Sequence, residues 1–261
     1  VTTLAAEPAL DREALRSRVF LRSVLPLLED LPGTDALFRG VSARVAIEVR
    51  GTDVGATLVL RDGALAVEQG VQPAEVRWIF PTLRALNAFF AGKVVLPRIK
   101  GLRHPVLIWK TVRLLMRLRI LHPQPSPAQP ALRVKLLLRL VTRALAELHR
   151  GGHPEMVFLV ADSPERVYQW TVGGADVAHD IGAYLRMERG RVKAGRGTYT
   201  RRRPFVHFAF ADVDAALAVL TATGSQMTGV RSGQLKTLGS PEYTRKIALL
   251  MQKIDQLLQE G

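Results

Sequence analysis

Three clusters in this chain combine residue types that could do chemistry, and in each the spacing works against it. His149, His153 and Glu155 offer two imidazoles and a carboxylate, a donor set suited to a divalent metal. Gly151-Gly152 breaks the helix that would align them, so no metal ligand is expected there. Asp176, His179 and Asp180 could pair carboxylate with imidazole for acid–base transfer, but this polar run reads as a loop beside a strand. Gly229-Val230-Arg231-Ser232-Gly233 sets a serine among glycines without the G-x-S-x-G spacing of a nucleophile elbow. Gly195-Arg196-Gly197 is a hairpin fragment and no phosphate-cradling glycine loop is present. The expectation is a chain that is not an enzyme and takes no metal or cofactor.

The remaining chemistry is charge and apolar surface. Thirty-seven Lys and Arg oppose 23 Asp and Glu, a formal net charge of +14, which attracts nucleic acid, anionic lipid or acidic partners. Lys110, Arg113 and Arg117 form one helical stripe, and Lys135, Arg139 and Arg143 another at a spacing of four. Facing an anionic membrane, each cation is worth roughly 1 kcal/mol. The other reading is a solvated face whose arginine stems cover apolar surface. Arg201-Arg202-Arg203 is either a headgroup or phosphate contact or a charged loop. Aromatic residues are not interleaved with these runs, so nucleic acid is not an expected partner. The absence of cysteine excludes disulfides and thiolate chemistry and suits a reducing compartment. Val1–Asp11 lacks the basic start and apolar core of a signal peptide, and no apolar run approaches the roughly 20 residues of a spanning helix. A soluble, cytoplasmic protein with peripheral membrane contact is expected. No oligomeric state follows from these patterns.

The elements that would carry these residues are legible from their periods. Leu15, Val19, Phe20, Val24 and Leu27 recur at helical spacing over Asp11–Asp30, with a kink or break expected at Pro26. Val45, Ile47 and Val49 alternate with polar residues as in a half-buried strand. Thr57–Leu60 and Leu65–Glu68 flank Asp62-Gly63, a strong hairpin signal. Glu75–Phe80 reads as a fourth strand, Thr82–Ala91 as a helix and Lys93–Lys100 as an edge strand, since Pro97 cannot donate to a ladder. Val106–Ile120 and Ala131–Arg150 read as helices, separated by the proline-rich linker 122–130. Domains are therefore expected at 11–121 and 131–261.

The second half repeats this order: Val167–Val172, Ala183–Glu188, Val192–Ala194, Phe205–Phe210, Asp212–Thr223 and Pro241–Leu258, with Arg189-Gly190 as the turn. From turn glycine to helix start is 18 residues in the first copy (Gly63 to Pro81) and 22 in the second (Gly190 to Asp212). From there to the later glycine is 20 (to Gly101) against 27 (to Gly239). Differences of that size at junctions are what loops tolerate. A doubled unit without a reactive constellation points to the shape that each unit encloses.

Tyr168-Gln169-Trp170-Thr171-Val172, Arg189-Gly190-Arg191-Val192 and Phe208-Ala209-Phe210 before Asp212 resemble the sterol carrier protein 2 domain family. The resemblance continues through Met227-Thr228-Gly229 and Gly233–Pro241, covering about Met156–Leu258. Val41–Leu121 resembles the same family more weakly, through Asp62-Gly63-Ala64-Leu65 and Ile99-Lys100-Gly101, with a shortened segment after the middle helix. The resemblance implies an α+β fold of two units, each a five-stranded, largely antiparallel sheet covered by helices. It also implies an apolar tunnel for fatty acyl, sterol or isoprenoid ligands and no catalytic residues. Some bacterial relatives act as accessory factors of ubiquinone biosynthesis, so the alternative to a carrier is a scaffold that recruits partners or membrane through its basic face.

A ligand in such a tunnel is held by area, at about 0.8 kcal/mol per buried methylene. The residues expected to line it in the second unit are Trp170, Phe208, Phe210, Leu217, Leu220, Met227, Ile247, Leu250 and Met251. In the first unit they are Trp78, Phe80, Phe89, Phe90 and Trp109. The plain alternative is that aromatic and methionine residues at these periods are core.

Overall fold

The first described helix begins on a side-chain cap: the Ala14 N–H donates to the Asp11 carboxylate at 3.1 Å. The structure is a computed structural model that describes residues 11–122, 129–161, 164–173, 181–221 and 233–259. Helix α1 (Arg12–Val19) opens into a π turn over Phe20–Val24 and then tightens to 3-10 winding over Leu25–Asp30. The break expected at Pro26 is thus a change of winding, as required of a residue that has no N–H to donate. A short helix, α2 (Thr34–Leu37), leads into the first sheet.

That sheet contains β1 (Ala43–Val49), β2 (Gly55–Arg61), β3 (Ala64–Gln69), β4 (Val76–Phe80) and β5 (Arg98–Lys100), in the order β3-β2-β1-β4-β5. β1 and β4 run parallel, with Ile47 beside Trp78 and Val49 beside Phe80, and the other pairings are antiparallel. α3 (Leu83–Phe90) follows β4, α4 (Pro105–Met116) follows β5, and α4 tightens to 3-10 turns over Arg117–Leu121. The edge strand is shorter than its expected span Lys93–Lys100, because Pro97 keeps residues 93–97 out of the ladder.

The second unit begins with α5 (Pro130–Arg150) and α6 (Pro154–Ala161). Its sheet contains β6 (Arg166–Val172), β7 (Gly182–Glu188), β8 (Arg191–Arg196), β9 (Val206–Phe210) and β10 (Leu235–Gly239), in the order β8-β7-β6-β9-β10. α7 (Val213–Thr221) lies between β9 and β10, and α8 (Pro241–Gln259) ends the described chain. The parallel pair recurs as β6 with β9, placing Trp170 beside Phe208 and Val172 beside Phe210. The fold is α+β, and the two sheets share one topology.

Local chemistry explains the shared details. Both hairpins turn through two residues at positive φ, Asp62-Gly63 (46° and 88°) and Arg189-Gly190 (47° and 72°), the geometry that matches strand twist. Gly101 just after β5 and Gly239 at the end of β10 stand at φ 91° and 110°, pressed against the carbonyl of the residue that precedes β4 or β9. A Cβ would stand 2.0 Å from the Glu75 carbonyl oxygen at Gly101 and 2.1 Å from that of Phe205 at Gly239.

The two units join through their leading helices. Leu15 and Val19 of α1 belong to the core of the second unit, while Leu136 and Leu140 of α5 belong to the core of the first. α5 is buried on several sides, including Val134 and Leu138 toward its own unit. With the charged Arg133, Arg139 and Glu147 buried alongside its leucines, α5 is covered by both units and is their shared centre.

Candidate apolar binding groove

In the first unit the helix-facing side of the sheet carries Val76, Trp78 and Phe80 on β4, alternating with Arg77 and Ile79. α3 is stopped beside them by Gly92 at φ 84°, with the Lys93 N–H donating to the Ala88 carbonyl at 3.0 Å. Phe89 and Phe90 are the last two residues of α3 before this closure. Trp78 and Phe89 meet edge-on at 6.1 Å, Phe80 and Phe89 lie 5.3 Å apart, and Phe90 stacks on Phe20 at 5.4 Å.

Beside this aromatic cluster lies an open apolar groove of about 370 Å³, within the roughly 300–1,000 Å³ range of small-molecule sites. Trp78, Phe89 and Phe90 form one wall, Ile99 the edge, and Val112, Leu115 and Met116 of α4 the other wall. Lys93, Arg119 and His122 stand among its lining residues. The Trp78 indole nitrogen is buried with no acceptor among the described residues. Apolar contact and a cationic rim suit a hydrocarbon bearing a polar end.

Three of the five residues expected to line the first unit's pocket therefore meet in the groove. Phe80 lies in the core behind them. Trp109 is corrected: it is 55% exposed on α4 and is not among the groove's lining residues, with the Arg113 guanidinium 5.4 Å above its ring. Sequence reading missed Leu96 and Ile99, since an apolar run interrupted by Pro97 has neither strand nor helix period to betray which side is inward, and it missed Leu115 and Met116 of α4, whose period does not say which neighbour the helix meets. This stretch and α4 together leave Val94 (97%), Leu96 (88%), Leu102, Val106 and Met116 facing solvent, so an apolar surface borders the groove.

In the second unit Trp170, Phe208, Phe210, Ile247, Leu250 and Met251 sit in one buried cluster, against which Leu217 and Leu220 pack half-buried. The Trp170 and Phe208 rings stack at 5.1 Å. Leu250 also borders an open cavity of about 410 Å³ between α6 and α8, with Phe158, Leu159 and Leu249. Met227, Asp176, His179, Asp180, the Gly229–Ser232 stretch and the linker core 123–128 lie outside the described residues.

The second basic stripe requires correction. Arg139 is buried and ion-pairs with Asp30 at 2.6 Å, so it cannot meet a bilayer. Arg143, half-buried nearby, has its pKa lowered, first by burial and then by Arg196, against the pull of Asp30 and Glu29. Lys135 is also half-buried. The cause is α5's place between the units, which turns its polar residues onto the end of the first leader. In the first stripe, the Lys110 ammonium lies 6.0 Å from the Phe38 ring and Arg117 donates to the Pro32 carbonyl at 3.1 Å, leaving Arg113 on the outer face. Arg202 pairs with Glu165 at 2.7 Å. Glu155, once a metal candidate, pairs with Lys253 at 2.5 Å, and burial lowers the pKa of both His149 and His153.

No family model matches the sequence, and no curated protein matches it. Among solved structures, the chain is similar to a UbiJ-SCP2 ubiquinone synthesis protein, at 17% identity over 45% of this chain and 93% of that one, with a TM-score of 0.31. A conserved hypothetical protein of Thermus thermophilus, described as a possible sterol carrier protein, aligns at 14% identity over 48% and 96% with a TM-score of 0.30. An inverting sec-alkylsulfatase from a Pseudomonas species aligns at 13% identity over 56% of this chain and 28% of that one, with a TM-score of 0.23.

Proposed function

We propose that the chain is a non-catalytic binding protein for hydrophobic small molecules, with the groove of the first unit as its ligand site. The observation that carries this reading is an apolar groove of about 370 Å³ walled by Trp78, Phe89, Phe90 and the inner side of α4. A fatty acyl, sterol or isoprenoid chain laid there gains about 0.8 kcal/mol per buried methylene, close to a fourfold change in Kd. A role in handing such a molecule to another enzyme, as in quinone synthesis, fits a non-catalytic binder. Titration of the purified protein with a series of n-alkanols tests the reading. Affinity rises about fourfold per added methylene until the groove is filled, and Val112→Glu, at the groove wall, lowers affinity for every member. No binding by any member, together with no lipid in a solvent extract of the purified protein, sinks it.

A second reading concerns where the ligand is collected. No described helix is long and apolar enough to cross a membrane. The exposed Val94, Leu96, Leu102, Val106 and Trp109 instead suit shallow insertion at the mouth of the groove, with Arg113 at headgroup level. Net positive charge favours an anionic bilayer over a second copy of the same basic chain. In vesicle flotation, the protein rises with phosphatidylglycerol vesicles but not with phosphatidylcholine vesicles, and Leu96→Asp with Val106→Asp leaves it in the bottom fraction. Equal flotation of that double variant removes this face from consideration.

A further inference from the structure

The outer face of the first sheet carries a second open cavity, about 550 Å³, whose lining includes Arg50, Arg77, Arg98 and Lys100. The only carboxylate among its lining residues is Glu48, already bound to Arg77 at 2.5 Å. Arg77 stands directly across from Lys100 in the β4–β5 ladder, and Arg98 lies two residues along the same edge strand. Like charges on facing positions of an antiparallel pair cost stability. A bound anion would reverse that cost. The Arg77 Nε is buried without an acceptor among the described residues, although the rest of its side chain reaches solvent.

The two cavities meet at one residue: Leu96 lines both the basic cradle and the apolar groove. β5 is the sheet's edge, so a chain can pass from groove to cradle around Leu96 without crossing the sheet. We propose that this cradle holds the anionic head of the groove's ligand, which makes the ligand a long-chain phosphate ester or diphosphate. The inference rests on the groove being a ligand site. Arginine forks bind phosphoryl oxygens in pairs, and four cations against one engaged carboxylate suit a head bearing more than one negative charge. A nucleic acid would need stacking platforms, and the cradle's lining contains no aromatic residue.

Calorimetry on the intact chain separates the possibilities, with dodecyl phosphate (below its micelle concentration), dodecanol and inorganic pyrophosphate as probes. Dodecyl phosphate binds at least about tenfold tighter than dodecanol, and the advantage shrinks as salt rises. Arg98→Gln with Lys100→Gln removes most of that advantage while dodecanol binding is unchanged. The same variant melts no lower than the parent, since a like-charge contact across the ladder has gone. Arg201→Gln with Arg203→Gln, an equal loss of charge in the second unit, keeps the advantage. Equal affinities for dodecyl phosphate and dodecanol overturn the head-group assignment and leave the groove reading standing. Pyrophosphate binding as tightly as dodecyl phosphate, with dodecanol unable to compete, makes the cradle a free-phosphate site and also overturns it. If neither long-chain probe binds, the groove reading itself falls.

Discussion

Two glycines act as the same part in the two units. At Gly101 and Gly239 a side chain meets both a positive φ and a backbone carbonyl at about 2 Å, and neither obstacle can move without opening an edge strand. Gly101→Ala and Gly239→Ala are each expected to cost about 2–4 kcal/mol, measured by urea unfolding. The hairpin residue Arg189 invites the opposite change. It occupies φ 47°, where asparagine is at ease, so Arg189→Asn should raise stability by about 0.5–1 kcal/mol. Glu75 links the fold to pH: the Arg44 N–H donating to its carboxylate at 2.7 Å holds its pKa below the ordinary carboxylate value. Its folded pKa lies below its unfolded one, so its contribution is present above the unfolded pKa and lost as pH falls through the folded one. Glu75→Gln should therefore flatten the stability profile between roughly pH 5 and pH 3, by a small amount because the carboxylate is largely solvated. An unchanged profile would place the acid sensitivity elsewhere.

At the level of elements, the central helix α5 is where sequence and structure part most sharply. Periodicity located it to within a residue, and the spacing of Lys135, Arg139 and Arg143 suggested an outward basic stripe. Nothing local signals that a helix will be covered on several sides, because burial of a charged residue depends on a partner far along the chain, here Asp30. Removing that partner is costly. Arg139→Met leaves Asp30 buried with Arg196 at 3.3 Å and the half-buried Arg143 nearby, and is expected to cost about 3 kcal/mol, while Arg139→Met with Asp30→Leu recovers most of it. Both are read by denaturant titration; equal losses in the single and double variants would mean that packing, not the stranded charge, sets the cost. Hairpins, lone glycines and the doubled order were legible because turn geometry and strand alternation are local. The groove was legible only in part: Trp78, Phe89 and Phe90 announce themselves by type. Leu96 is assigned to it by a loop path that proline and glycine permit but do not encode, and Met116 by how α4 packs against the sheet.

The molecule as a whole unfolds as its two cores are wired. Leu15 and Val19 of the first leader complete the second core, and Leu136 and Leu140 of the second leader complete the first. Each unit alone would expose the site that the other's helix fills, a loss of several buried aliphatic side chains at about 1.5–3 kcal/mol each. That exceeds what half of a marginally stable domain can spare. A single cooperative transition is therefore expected, although the chain contains two sheets. Trp78 and Trp109 report on the first unit and Trp170 on the second, so Trp170→Phe restricts fluorescence to the first unit. Its urea midpoint should coincide with the midpoint from far-UV circular dichroism, as it would not if the units melted independently. A protease site placed in the proline-rich segment 123–128 gives the complementary test. The nicked chain should elute from gel filtration as one species of unchanged size, held by the exchanged leaders, and fall apart only in denaturant. Two separate fragments in native buffer would show that the leaders are accessory and that each sheet carries a sufficient core of its own.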